Sequence, residues 1–127
     1  MSIKVEGTTI KIYQGDSGSV TFYGLKPDML IYMAVRYPKT NALVMPEKHE
    51  VTNIEGEVTF DFEVSDTDDL DIDCTKEFEP LSYGLKQVDT ETGEENTILL
   101  GENPRYGDKY LFKVYPKKVE GLIPSGN

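Results

Sequence analysis

Five aspartates fall within residues 66–73: Asp66, Asp68, Asp69, Asp71 and Asp73. Carboxylates two residues apart can converge in a loop, and clustered oxygens are what a hard cation such as Ca2+ takes. Asp69, Asp71 and Asp73 occupy positions 1, 3 and 5 of an EF-hand loop, but position 6 is Cys74 in place of Gly and position 12 is Pro80 in place of Glu. A Ca2+ site of another kind stays open. A solvated acidic loop is the plainer reading, and no metal is assigned. His49 is the single histidine, with Glu47 and Glu50 beside it. Zn2+ needs more nitrogen or sulfur ligands than this group offers, so His49 reads as a surface loop residue. Cys74, the single cysteine, has acidic neighbours in Asp73 and Glu77. They raise a thiol's pKa and argue against a nucleophile.

Other catalytic patterns are missing. Gly15-Asp16-Ser17-Gly18 has the wrong spacing for a serine nucleophile elbow. No glycine-rich phosphate loop follows a strand and opens a helix. Paired carboxylates for glycoside hydrolysis need a cleft, and a small β domain leaves little room for one. The chain is therefore expected to be no enzyme and to carry no cofactor.

Eight tyrosines remain: Tyr13, Tyr23, Tyr32, Tyr37, Tyr83, Tyr106, Tyr110 and Tyr115. A large apolar ring with one polar end suits strand cores, protein interfaces and sugar-stacking platforms alike. Near the end of the chain they mix with lysines. Tyr106, Tyr110, Lys113, Tyr115, Lys117 and Lys118 are the expected partner contacts, and Asp66, Asp68, Asp69 and Asp71 form a second patch.

The elements that must position these residues read as strands. From Glu57 to Val64, Val58, Phe60, Phe62 and Val64 share one face, while Thr59, Asp61 and Glu63 share the other. This is the alternation of a half-buried strand. Thr8–Tyr13 and Ser19–Gly24 alternate likewise. Between them Gln14–Gly18 is a turn, with glycines free to take positive φ. Met29–Tyr37 is apolar on both faces and predicts a central strand covered on two sides. Leu43–Met45 predicts a short edge strand stopped by Pro46. Leu81–Val88, Thr97–Leu100 and Lys109–Tyr115 complete the set, with a turn at Asp89–Gly93. No helical period survives beyond a turn or two. Seven or eight short strands at close intervals predict an all-β, Ig-like antiparallel β-sandwich. It would form one domain over 1–127, with a short extended tail at 116–127.

The chain has 127 residues, and its net charge is −10. That length suits one domain with its own core. The acidity is regional: residues 61–95 hold 13 of the 23 acidic residues and only Lys76 and Lys86, a local net of −11, while the rest carries +1. Acidity argues against a nucleic-acid partner. No apolar run is long enough for a membrane helix, and the first residues lack a signal-peptide core. One acidic flank and one basic stretch can pair head-to-tail between copies or dock on charged neighbours; plain solvated surface is the favoured reading of both, since exposed charges contribute little.

Two stretches carry a family resemblance. Ile10-Lys-Ile-Tyr-Gln-Gly-Asp16-Ser-Gly-Ser-Val-Thr-Phe22 resembles the opening of small phage baseplate and tail domains. Asp66-Thr-Asp-Asp-Leu70, Tyr83-Gly-Leu-Lys-Gln-Val-Asp89, Thr92-Gly93 and Thr97-Ile-Leu-Leu-Gly101 follow the second half of the same pattern. Over about residues 8–115 the chain is similar to the N-terminal Ig-like domain of phage baseplate upper proteins, without their downstream oligomerising region. The resemblance implies a virion structural protein of tail, baseplate or capsid. It would be made in the host cytoplasm and would act by contacts with other virion proteins or in many copies. A carbohydrate-binding or host-surface adhesion module is the alternative.

Overall fold

The computed structural model describes residues 3–72, 75–99 and 111–116. They form nine strands and one short helix: β1 (Ile3–Glu6), β2 (Thr9–Tyr13), β3 (Gly18–Phe22), β4 (Leu30–Arg36), β5 (Lys48–Val51), β6 (Val58–Phe62), α1 (Val64–Asp68), β7 (Glu79–Val88), β8 (Glu95–Leu99) and β9 (Leu111–Tyr115). The protein is all-β. Seven strands make one sheet in the order β1-β2-β9-β7-β4-β5, with β8 also on β7; β3 and β6 pair as a second sheet.

The arrangement differs from a purely antiparallel sandwich of seven or eight strands. β2 and β9 run parallel, with Ile10 opposite Phe112 and Tyr13 opposite Tyr115, so the large sheet is mixed. Parallel neighbours need a long crossover, and here most of the chain lies between the two. β1 lies beside β3 and β5 beside β6. The large sheet thus curls until its two edges flank the small one. At the first seam a side chain on Gly18 would meet Ile3 Cγ1 at 2.8 Å, so only glycine fits there unless Ile3 moves.

Period-2 patterning explains which face is inside. Ile10, Ile12, Ile31, Met33, Val35, Leu81, Tyr83, Leu85, Phe112 and Val114 line the inner face of the large sheet, and Val20, Val58, Phe60 and Phe62 meet them from the small one. Burying each such side chain contributes about 1.5–3 kcal/mol. Phe62 and Phe112 pack with ring centroids 5.4 Å apart.

Several local expectations are corrected. β4 is interior to the sheet, but only Ile31, Met33 and Val35 are buried; Leu30, Tyr32 and Ala34 on its other face are half-exposed. Leu43 makes a single bridge to Arg36, and the strand follows Pro46 instead, as β5. Three of the four β5 residues are exposed, including His49, which sits in a strand and not in a loop. Val64 leaves the strand face, is 51% exposed, and opens α1. The expected tail beyond Pro116 lies outside the described residues.

Candidate functional site

The inner face of the large sheet is filled, so its outer face is the part of that sheet open to a partner. Register decides what lies there. Lys4 stands opposite Lys11 across β1–β2, and Lys11 stands opposite Lys113 across β2–β9. Three lysines thus line up across three strands. Glu6, diagonal to Lys11, is hydrogen-bonded to it. That bond, with the charges of Lys11, Lys4 and Lys113, holds the Glu6 carboxyl below its ordinary range. The same bond, with the charges of Glu6, Tyr115 and Glu77, raises Lys11.

Next to the lysines runs a row of rings. Tyr13 and Tyr115 lie 5.5 Å apart, and Tyr115 and Phe78 lie 5.5 Å apart. Lys113 Nζ sits 4.4 Å from the Phe78 ring centroid, within cation–π range. Tyr13 is 44% exposed, and the other three are half-buried. Two expected contact residues, Lys113 and Tyr115, are therefore brought together. Tyr106, Tyr110, Lys117 and Lys118 lie outside the described residues.

The acidic patch divides. Asp66 is not a solvated loop residue. It sits in α1, accepts a hydrogen bond from the Glu63 backbone N–H at 2.8 Å, and pairs with Lys48 at 2.7 Å. Lys48 also lies 5.0 Å from the Phe62 ring centroid. Asp66 is thereby a structural anchor between α1, β5 and β6. Asp68, Asp69 and Asp71 are exposed. Gln14 Nε2 donates to the Asp68 and Leu70 carbonyls at 3.2 and 2.6 Å, which ties the backbone of this segment to the β2–β3 turn. Among the described residues no group of His, Cys, Asp or Glu side chains could hold a metal ion.

A second feature of the outer face was not foreseen. Ala34 stands opposite Gly84, and Arg36 opposite Ser82, across β4–β7. Ala34, Ser82 and Gly84 are small and leave a groove of about 710 Å³ between taller neighbours. Tyr32 rises on one side, its ring 5.6 Å from that of His49. Arg36 walls another side, held by the Asn41 carbonyl at 2.7 Å and Glu47 at 3.7 Å. Lys86 pairs with Glu95 at 2.6 Å on the far rim, which raises the Lys86 pKa. The size is that of a small-ligand site. The signal was present in Ala34, Ser82 and Gly84, but small residues mark a groove only once the β4–β7 register is known.

Comparison with protein-family models, curated proteins and solved structures finds no match to this chain. The functional reading therefore rests on the face itself.

Proposed function

We propose that the chain is a non-enzymatic assembly protein that docks on its partners through the outer face of the large sheet. One observation carries the reading: Tyr13, Tyr115 and Phe78 form a continuous ring row with Lys113 stacked on its end. Tyrosine and phenylalanine are enriched at protein interfaces, and a charged side chain beside them sets orientation and partner choice. The setting is a phage particle, where the protein joins other virion proteins in a tail, baseplate or capsid; the resemblance of residues 10–22 and 66–101 to baseplate upper proteins supports that part. Reconstitution of particles with the double variant Tyr13→Ser/Lys113→Glu tests it. Uptake of the chain, read by electron microscopy of labelled particles, should be lost. Full uptake of a folded variant would remove the reading.

The groove over Ala34 and Gly84 favours a second reading, a carbohydrate site with Tyr32 as stacking ring and Arg36, Glu47 and Glu95 as polar walls. Glycan-array binding that vanishes in Tyr32→Ala would decide for it. Silence on the array, with particle uptake intact, decides for the first.

A further inference from the structure

Like charges directly opposite one another on a sheet are destabilising, yet Lys4, Lys11 and Lys113 occupy three successive opposed positions, with Glu6 bonded to Lys11 and Glu77 near it as the anions that face them. Folding alone disfavours this row, so an anionic occupant would offset it. The same chain carries a matching acid. Asp69 and Asp71 are exposed, and among the described residues neither carboxylate makes an ion pair. Asp66, by contrast, is consumed internally by Lys48.

We propose that the lysine row of one copy takes the acidic segment around Asp69 and Asp71 of a second copy, so that the chain associates head-to-tail. The proposal rests on the reading of the outer face as an interface and names its partner. Dimensions agree: three neighbouring strands spread the lysines over about 10 Å, and the backbone allows residues two apart to stand at most about 7 Å apart. One segment can therefore meet two lysines at once. Charge agrees as well, since residues 61–95 carry a net −11 and the remainder +1. The donor and acceptor patches are different surfaces, so the contact is heterologous and builds rings or open chains.

Sedimentation velocity of the full chain tests this. Average mass should rise with concentration at about 0.01 M salt and return to the monomer at about 1 M, as the Debye length falls from about 30 to about 3 Å. Lys4→Glu/Lys113→Glu leaves the Lys11–Glu6 bond in place and should be monomeric at low salt. Asp69→Lys/Asp71→Lys should be monomeric too. Mixed in equal amounts, the two should associate again, because each reversed patch now meets its opposite. Circular dichroism confirms that each variant is folded. A wild-type chain that stays monomeric, either double variant associating like wild type, or a mixture that stays apart overturns the proposal. If a monomeric wild-type chain still enters particles and Tyr13→Ser/Lys113→Glu does not, self-pairing alone falls and the interface reading stands.

Discussion

The Gly15 backbone N–H donates to the hydroxyl of fully buried Thr67 at 2.8 Å, and this bond ties α1 to the turn between β2 and β3. Gly15 takes φ +81°, which turns that N–H toward the helix. The turn carries Tyr13 at its start, so α1 indirectly braces one end of the ring row. Thr67→Val keeps the shape and removes the acceptor, leaving the Gly15 N–H without it. The expected loss is about 1–3 kcal/mol, read as a lower midpoint of denaturant unfolding at unchanged slope. Thr67→Ser should retain most of the stability.

Lys48 and Asp66 make a second brace. Their side chains are 19% and 10% exposed, so water screens the pair only partly. Lys48→Met keeps the aliphatic packing over Phe62 but leaves the Asp66 carboxylate with the Glu63 N–H and no cation. A loss of about 1.5–3 kcal/mol is expected, as for hydrogen bonds to charged groups. Lys48→Met/Asp66→Asn should recover part of it in a double-mutant cycle. Additive losses in that cycle would show that the two groups do not couple.

These two braces show where the sequence was readable and where it was not. Strand faces were legible because Phe60, Phe62, Ile10 and Ile12 alternate with polar residues. β5 was not, since Lys-His-Glu-Val at an exposed edge buries little and so carries no apolar period. Val64 extended the β6 alternation by one step, but Glu63 and Asp66 cap a helical turn there, and local hydrogen bonding outweighed the pattern. Lys113 and Tyr115 were singled out by type alone. Their neighbours Lys11 and Tyr13 were hidden because the parallel β2–β9 pairing joins strands about a hundred residues apart, and no local signal in one strand names a distant partner. Phe78 was missed because it precedes β7 and belongs to no periodic run.

Gly56 offers a sharper test of packing. Its φ is +77°, and a Cβ there would lie 2.0 Å from the Leu25 carbonyl oxygen. The Leu25 N–H donates to the Gly56 carbonyl at 2.9 Å, so the two backbones are locked together. Gly56→Ala must break that approach as well as adopt a left-handed conformation, which by itself costs on the order of 1–3 kcal/mol. The variant should unfold well below wild type in thermal melts. A melt unchanged within a degree or two would mean that the β3–β4 connection yields easily.

Stability should respond to pH at Asp89, the first residue of the turn between β7 and β8. Its Oδ1 accepts backbone N–H bonds from Glu91 at 2.9 Å and Thr92 at 3.3 Å, and these hold its carboxyl below the ordinary value. A carboxyl whose pKa is lower in the folded state binds its proton more weakly there than in the unfolded chain. Its contribution is therefore complete above the unfolded value and is lost as pH falls through the folded one. Lys11 and Lys86, raised by Glu6 and Glu95, behave oppositely: their contribution is complete below the ordinary lysine value and is lost as pH rises through the folded one. Unfolding midpoints should thus be insensitive to these groups near neutrality and fall toward both extremes. Asp89→Asn keeps an acceptor oxygen for both N–H groups and has no proton to bind. Its acid limb should be shallower than wild type while its alkaline limb, set in part by the two lysines, is unchanged; an unaltered acid limb would show that the turn bonds do not couple to folding.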